Sequence, residues 1–301
     1  MLFAILLLQF IDSKAPPFGR LRVEGNKIVG SKRAPGMVRG VGLSWSNWWP
    51  QFYNADTINH LKNDFHANII RAAIGVEKEG GYFDNKDNAY KLLYAAVDAA
   101  LSAGIYAIVD WQAFQIHESD AIEFFTKVVN NYKGKSNVIY EIFNEPESAS
   151  WSQIKSYSIN LIKTIRGIDS NAFILVPTPN WDQYVEQAAA DPITEYSNIA
   201  YTIHIYAATH PLSYLDNARA ALNKIALFGT EIGAMEASGD GAIDLNKYNQ
   251  WIDFYEQVQI PYLCWGVQSK DETNSILKPS ENWNDLSEWG NLCKKTITAH
   301  Q

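Results

Sequence analysis

The sequence predicts a closed (β/α)8 barrel of the TIM type, preceded by a short N-terminal β-hairpin. Three observations lead to this fold. Eight near-continuous apolar runs, typical of strands buried on both faces, alternate with amphipathic stretches of helical period. The length of 301 residues is close to that of one such barrel. No repeat and no linker rich in proline or serine interrupts the pattern, so a single domain over residues 16–301 is the simplest organisation.

The elements follow one another in a regular order. The stretch GRLRVEGNKIVG contains two short alternating runs around Gly25 and Asn26, which predict the hairpin. Helical period is clear over 88–104, 118–134, 151–169 and 245–258, and Gly104 ends the first of these helices, as glycine commonly does. The runs that predict barrel strands are VRGVGLSW, ANIIRAAIG, IYAIVDW, NVIYEIFNE, FILVPTP, IAYTIHIYA, ALFGTEIGA and PYLCWGVQ.

Charge and composition exclude several classes of function. Lys and Arg number 25 against 33 Asp and Glu, which gives a net charge of −8, and no basic cluster stands out. A chain without a basic surface is a poor partner for nucleic acid or an anionic membrane, so we expect neither. Ten tryptophans and sixteen tyrosines are many for this length. They serve either a large core or platforms that stack on sugars, and composition alone does not decide between the two.

Residues 1–15 are expected to be a signal peptide. Their apolar run extends from Leu2 to Ile11 and is followed by small residues near Ser13 and Ala15. Such a run falls short of the roughly 20 residues that span a bilayer, and a signal-peptide core fits it better. The usual basic flank is missing, so a hydrophobic N-terminal arm is the alternative. We therefore expect a secreted, extracellular protein.

The two cysteines, Cys264 and Cys293, are predicted to lie on the last strand and the last helix. In a secreted protein they form either one disulfide or two buried thiols, and the sequence leaves both open. The sequence contains no CxxC pair and no cluster of histidine and cysteine, so a zinc site is not expected.

Polar and aromatic side chains gather at the carboxyl ends of the predicted strands. Active sites of this barrel lie at that end, on the loops that follow the strands. A strand buried on both faces has no use for such groups unless a ligand meets them there. They are Arg71, Asp110, Trp111, Gln112, Asn144, Glu145, Trp181, His204, Tyr206, Glu231 and Trp265.

Glu145 and Glu231 are the chemically important pair in this set. They end the fourth and seventh barrel strands, so we expect them to face each other across the barrel mouth. Two carboxyl groups about 5–5.5 Å apart suit a retaining glycosidase, in which one protonates the leaving oxygen and the other attacks the anomeric carbon. Arg71 and Tyr206 are expected to keep Glu231 ionised, while desolvation and the charge of Glu231 keep Glu145 protonated. This chemistry needs neither a metal nor another cofactor.

Seven stretches occur in a fixed order along the chain: GLSWSNWWPQFYNADT, NIIRAA, YEIFNEP, PTPNW, YTIHIYAATH, FGTEIG and the final Trp265 with KDE behind it. Together they resemble glycoside hydrolase family 5, or cellulase family A, and in particular its secreted endo-β-1,4-glucanase branch, which includes invertebrate cellulases. The resemblance covers the chain from about Pro16 to the last strand. It implies a secreted enzyme that cuts cellulose-type β-1,4-glucans by double displacement, with the polysaccharide as its partner, and we expect a monomer.

The resemblance also implies a role for each site residue. Glu145 matches the acid/base and Glu231 the nucleophile, in agreement with the physical argument. Asn144 matches the amide that binds the sugar 2-OH, where hydrogen bonds strengthen in the transition state. The remaining matches are to residues that hold the nucleophile and its sugar (Arg71, His204, Tyr206), to aromatic platforms (Trp265, Trp45, Trp181) and to polar contacts with a glucose on the non-reducing side (Lys270, Glu272).

Several of these residues have an ordinary structural alternative. Trp45 and Trp181, taken singly, are as compatible with a core position as with a platform. His204 can be an ordinary buried histidine. Lys270 and Glu272 can be a solvated surface pair, in which case they contact no sugar.

Two departures from the family pattern bear on the substrate. The third strand commonly ends in Asp-Trp-His, where the histidine contacts the sugar at the cleavage point. Here Gln112 takes that place, and Phe114 stands where relatives often have a polar residue. Glutamine donates and accepts hydrogen bonds but cannot carry charge, and Gly266 leaves more room beside Trp265 than the serine of relatives. The same mechanism on xyloglucan, xylan or mannan is therefore an alternative, as is a carbohydrate-binding protein without activity.

Overall fold

The computed structural model of the protein describes residues 13–300. Its eight apolar runs form a closed barrel of eight parallel strands, and two short antiparallel strands precede the barrel. The predicted (β/α)8 barrel with an N-terminal hairpin is therefore confirmed. The strands are β1 (Arg22–Glu24), β2 (Lys27–Val29), β3 (Arg39–Leu43), β4 (Ile69–Gly75), β5 (Tyr106–Gln112), β6 (Val138–Glu141), β7 (Phe173–Val176), β8 (Ile199–Tyr206), β9 (Leu227–Gly233) and β10 (Tyr262–Val267).

The barrel strands follow chain order around the ring, and β10 closes it by pairing with β3. Each pairing between neighbouring barrel strands is parallel. All eight carboxyl ends therefore meet at one rim, which is where the sequence places its polar groups. The register between β8 and β9 sets His204 directly beside Glu231.

Helices cover the outside of the barrel, and the four that the sequence predicted are all present. The first of them ends at Ala103, where Gly104 takes a left-handed backbone (φ 77°) and its N–H caps the last turn. A capping box between Ser150 and Gln153 begins another. The helices are α1 (Ala55–Asp64), α2 (Lys86–Ala103), α3 (Glu118–Tyr132), α4 (Trp151–Ile168), α5 (Pro179–Asp182), α6 (Val185–Ala190), α7 (Ser213–Ala221), α8 (Leu245–Val258) and α9 (Glu288–Ala299).

The barrel strands are continuous apolar runs in the sequence because an apolar layer covers each of their two faces. One layer lies between the strands and the surrounding helices. The other fills the barrel from its amino end and includes the first residues of β4, β5 and β7, namely Ile69, Tyr106 and Phe173. Leu21 and Ile28 of the hairpin region join this second layer, so the hairpin covers the bottom of the barrel. The carboxyl rim is left as the end that is open for polar chemistry.

The chain is attached to the barrel from Lys14 onward. The Lys14 N–H donates to the Leu101 carbonyl (3.0 Å), and the Asn137 side chain donates to the Lys14 carbonyl (3.1 Å). Residues 1–12 of the predicted signal peptide lie outside the described residues, so that assignment stays a prediction. Across residues 13–300, no helix combines the length and apolar character that crossing a membrane requires.

Cys264 on β10 and Cys293 on α9 are buried, unbonded thiols. Burial, together with the neighbouring Cys264 thiol, raises the pKa of Cys293 well above its usual range. Of the two alternatives that the sequence left open, the structure has the pair of reduced thiols packed between the last strand and the last helix.

Candidate active site

Glu145 is placed at the rim by a backbone extension beyond β6, which ends at Glu141. The Asn144 N–H donates to the Trp111 carbonyl (3.0 Å), and the Glu145 N–H donates to the Ala113 carbonyl (3.2 Å). These two bonds continue the pairing with the preceding strand after the regular ladder has stopped. The side chains of Asn144 and Glu145 are therefore carried over the barrel mouth on ordered backbone.

The two glutamates face each other across the rim. One carboxylate oxygen of Glu145 and one of Glu231 lie within 4.8 Å of each other. His204 stands between them, since its Nδ1 is 2.8 Å from Glu145 Oε1 and 4.0 Å from Glu231 Oε2. The two glutamates therefore face each other as the sequence predicted, and their separation is typical of retaining rather than inverting glycosidases.

Glu231 is held by the two residues that the sequence predicted. The Tyr206 hydroxyl donates to Oε1 (2.5 Å), and Arg71 Nη1 donates to Oε2 (3.3 Å). Burial, with the charge of Glu145, raises the pKa of Glu231 above its usual range, and the charges of His204 and Arg71 and the hydrogen bond from Tyr206 offset only part of this effect. Protein groups thus replace part of the hydration that this carboxylate has lost.

The two glutamates differ in burial. The side chain of Glu231 is 6% exposed, whereas that of Glu145 is 15% exposed. The reason is their position, because Glu231 lies within β9 and Glu145 lies on the extension beyond β6. The expectation that desolvation and the charge of Glu231 keep Glu145 protonated stays a prediction.

Arg71 organises a network of buried acids beneath the glutamate pair. Its guanidinium donates twice to Glu141 (2.7 and 3.2 Å), once to Asn144 Oδ1 (2.7 Å), and lies 3.2 Å from an Asp110 oxygen. Against the effect of burial, the charges of Arg71 and His204 and the hydrogen bonds from Arg71 lower the pKa of Glu141. Glu141 received no role from the sequence, and its only signal was an acid inside a continuous apolar run.

The protons on His204 can be assigned from its neighbours. The Thr230 hydroxyl donates its one proton to Glu141 (2.8 Å), so its oxygen accepts from His204 Nε2 (2.8 Å). Nε2 therefore carries a proton, and a second proton is shared between Nδ1 and Glu145. Burial alone would lower the pKa of His204, but nearby carboxylates, Asp182 and Glu231 foremost, raise it well above its usual range.

Two cavities are lined by predicted site residues. One, of about 540 Å³, is lined by both glutamates together with Trp181 and Phe114. The other, of about 510 Å³, is lined by the other two predicted platforms and the two predicted contacts to a glucose on the non-reducing side. Trp48, to which the sequence gave no role, also lines it, is 50% exposed and stacks on Trp45 with 5.0 Å between ring centroids. The predicted residues in this second cavity are Trp45, Trp265, Lys270 and Glu272.

Gln112 lines neither cavity, and the same is true of Arg71 and Asn144. Gln112 ends β5 and is buried, and its Oε1 finds no hydrogen-bond partner within residues 13–300. The Nδ2 of Asn144 is likewise buried without a partner in the described chain. Buried polar atoms of this kind are costly unless a ligand or water completes them. A sugar hydroxyl would meet that need at Asn144.

Two overlapping groups of side chains, both including His204, bring possible metal-ligand atoms within 4.8 Å of one another. In both groups the two nitrogens of His204 are already engaged, with Thr230 and with Glu145. The positive charge of Arg71 lies against the same carboxylates. The donor atoms are therefore better described as a hydrogen-bond network than as a metal site.

A (β/α)8 barrel with two acidic residues facing each other at its carboxyl rim has the arrangement of a glycoside hydrolase. The family can be named from the sequence. The chain belongs to glycoside hydrolase family 5, because the family model described as "Cellulase (glycosyl hydrolase family 5)" matches residues 29–271. This confirms the family that the sequence motifs resembled.

Bacterial endoglucanases are similar to the chain over most of its length. Endoglucanase Z of Dickeya dadantii (strain 3937) is 40% identical over 286 residues, which are 93% of this chain and 66% of that protein. The endoglucanase of Clostridium saccharobutylicum is 34% identical over 314 residues, covering 99% of this chain and 70% of that protein. The chain therefore spans about two thirds of the length of these relatives. The narrower likeness to invertebrate cellulases stays a prediction.

Solved cellulase structures share the fold closely. The cellulase Cel5C_n superposes with a TM-score of 0.90 at 33% identity, covering 94% of both chains. The catalytic domain of the Thermobifida fusca endoglucanase Cel5A gives a TM-score of 0.89 at 28% identity, covering 93% of this chain and 98% of that one. The same domain in complex with cellotetraose gives 0.88 at 27% identity, with coverage of 93% and 98%.

Proposed function

We propose that the protein is a retaining endo-β-1,4-glucanase that hydrolyses cellulose-type β-1,4-glucans. The observation that carries this proposal is the approach of Glu145 and Glu231 oxygens to within 4.8 Å, on either side of His204. That spacing leaves no room for the water that an inverting enzyme holds between its carboxyl groups. Membership of family 5 and the endoglucanase names of its relatives support the same conclusion.

The reaction follows in two displacements. In the first, a Glu231 oxygen attacks the anomeric carbon while the glycosidic oxygen leaves with its bonding electron pair and takes a proton from Glu145. In the second, a water attacks the same carbon, gives its proton to Glu145, and the Glu231 carboxylate leaves. Two inversions at one carbon give net retention, and both carboxyl groups return to their starting states.

The surrounding groups support this division of labour. Arg71 and Tyr206 both donate to Glu231, which favours the carboxylate that the attack requires. Glu145 is hydrogen-bonded to His204 and lies closer to solvent, where it can exchange its proton with an entering water. The buried Nδ2 of Asn144 is available for the sugar 2-OH.

The two cavities support attack within a chain rather than at its end. A glucan seated across the rim would occupy the Trp45 and Trp265 cavity on one side and the Trp181 cavity on the other. Tryptophan faces suit the apolar faces of pyranose rings. Lys270 and Glu272, which are hydrogen-bonded to each other, offer polar contacts to a glucose in the first cavity.

A substrate panel tests the proposal. Carboxymethyl-cellulose, xyloglucan, xylan and glucomannan are compared by release of reducing ends and by product size, with Glu231→Ala as the inactive control. We expect the fastest internal cleavage on carboxymethyl-cellulose. Faster cleavage of another glycan would overturn the substrate assignment. Binding of glycan with no cleavage of any would identify a carbohydrate-binding protein without activity.

We also propose that residues 1–15 direct secretion and that residues 16–301 form the catalytic domain. The apolar run from Leu2 to Ile11 supports this proposal. N-terminal sequencing of protein recovered from culture medium tests it. A mature chain that begins near residue 16 is expected, and full-length protein retained in cells would contradict it.

A further inference from the structure

Asp182 is a buried carboxyl group that the proposed reaction does not use. It is fully buried at the end of α5, where three successive residues, Asn180, Trp181 and Asp182, have positive φ (56°, 54° and 59°). Such a run costs free energy and persists only where neighbouring contacts enforce it. One of these contacts is the hydrogen bond from the Thr178 N–H to Asp182 Oδ1 (2.5 Å).

The second oxygen of Asp182 points at His204. Oδ2 lies 3.6 Å from His204 Nε2 and has no hydrogen-bond partner in the part of the chain that the structure describes. Nε2 donates to Thr230, so Asp182 does not receive this proton and acts on the imidazole through its charge. Burial raises the pKa of Asp182 well above its usual range, against the charge of His204 and the hydrogen bond from the Thr178 N–H, which lower it.

Charged groups surround His204 from several elements. Asp182 approaches from α5, and the remaining groups lie on or beside the barrel strands. They are Arg71 on β4, Asp110 on β5, Glu141 on β6, Glu145 beyond β6, Glu231 on β9 and the titratable His210 after β8. Of the acids in this set, Asp182 is the one whose presence neither the proposed reaction nor the guanidinium of Arg71 accounts for.

We propose that Asp182 is a positioning residue that acts through His204 to hold the proton on which Glu145 depends. This rests on the proposed function, in which Glu145 is the acid/base. Because Nε2 is already protonated, the proton shared by Nδ1 and Glu145 decides whether the imidazole is charged. When Asp182 is ionised, its charge 3.6 Å from Nε2 favours the charged ring, and the His204–Glu145 pair then keeps its last proton to a higher pH.

Asp182→Asn tests this role. Its amide oxygen can still accept the Thr178 N–H, and asparagine tolerates positive φ, but the charge is gone. The kcat/KM profile is measured against pH on an unactivated cello-oligosaccharide. We expect the apparent pKa of its basic limb to fall by roughly one unit, while the apparent pKa of its acidic limb stays unchanged. An unchanged basic limb would overturn the proposal.

The matched control is Asp169→Asn. Asp169 is also buried and accepts backbone N–H groups, from Gly134 (2.9 Å) and Asn171 (3.0 Å), but it lies at the amino end of β7, away from His204. The basic limb of the Asp169→Asn profile is expected to have the same apparent pKa as that of the parent enzyme. A shift as large as that of Asp182→Asn would show a general effect of removing buried charge and would overturn the proposal.

A second readout does not depend on activity. Nitrogen-15 NMR of the imidazole rings follows the His204 titration directly, with the His204→Gln variant used to assign its signals. We expect His204 to lose its proton at lower pH in Asp182→Asn, or in Asp182→Ser should the asparagine variant not fold. Unchanged titration overturns the proposal. An inactive parent enzyme whose His204 titration still shifts would overturn the proposed function and support the link between Asp182 and His204.

Discussion

The Nδ1 atom of His204 and the Oε1 atom of Glu145 lie 2.8 Å apart, and one proton is shared between them. Because Nε2 donates to Thr230, this proton resides either on the ring or on the carboxyl group. An acid/base residue must hold a proton in one half of the reaction and accept one in the other. The contact with His204 allows Glu145 to do both without a change of position.

Replacement of Glu145 should affect substrates according to their leaving groups. Glu145→Gln cannot donate a proton, so hydrolysis of a cello-oligosaccharide is expected to fall by roughly 10²–10⁴-fold. A dinitrophenyl cellobioside, whose leaving group needs no proton, should still form the glycosyl-enzyme at nearly the parent rate in a pre-steady-state burst. Glu147→Gln, an exposed neighbour that contacts Gln115, is the control and should change neither rate. Equal losses on both substrates would contradict the acid/base assignment.

Arg71 should contribute strongly to stability. Arg71→Met leaves Glu141, Asp110 and Glu231 without their buried cation, and breaking such a network costs about 3–5 kcal/mol. Urea unfolding at neutral pH measures the loss. Arg22→Met, which removes a half-exposed pair with Glu24, is the control and should cost about 0–1 kcal/mol. Similar losses for both variants would show that the buried network contributes little.

His210 should make the stability depend on pH. Its Nδ1 accepts the Tyr206 N–H, and burial together with the charge of His204 lowers its pKa to about 4. Because the folded pKa is below the unfolded value of about 6.5, the unfolded chain takes up the proton first as the pH falls. The stability gained by keeping His210 neutral is complete above pH 6.5 and is lost between pH 6.5 and 4, by at most about 3 kcal/mol.

Urea unfolding between pH 7 and pH 4 measures this dependence. His210→Asn should lose less stability over the interval than the parent protein, whatever its stability at pH 7. His66→Asn is the control, because His66 is exposed and has a positive φ (58°) that asparagine tolerates. A parallel decline in all three proteins would remove His210 as the cause.

Gln112 is predicted to influence substrate choice. Gln112→His restores the residue common in the family and should shift relative activity toward unbranched cellulose derivatives. The ratio of rates on carboxymethyl-cellulose and xyloglucan is the measurement. Gln115→His, an exposed change nearby, serves as the control. An unaltered ratio would leave the departure at position 112 without effect on selectivity.

The barrel and the paired glutamates could be predicted because each has a local signal. Strands buried on both faces give continuous apolar runs, and residues that end such runs meet at one rim. The hydrophobic periods also located the four long helices. These signals give the position of each strand and helix along the chain and the face that it buries. That information is sufficient to predict the fold and the main site residues.

The depth of each side chain and its partners could not be predicted. Glu141 and Asp110 stand inside apolar runs, and nothing local shows that both turn toward Arg71. Asp182 approaches His204 because three successive residues have a left-handed backbone, and no sequence pattern predicts that conformation. The deeper burial of Glu231 compared with Glu145 was not predictable for the same reason. Depth depends on how far each loop extends from its strand.

Identification of the covalent intermediate tests the central claim most directly. A 2-deoxy-2-fluoro cellobioside with a dinitrophenyl leaving group should inactivate the enzyme by forming a slowly hydrolysed ester. The fluorine slows both displacements, but the activated leaving group keeps the first one fast enough for the ester to accumulate. Mass spectrometry of the digested protein should find the sugar on the peptide that contains Glu231. A label on Glu145, or turnover by a single inverting step without any label, would contradict the account.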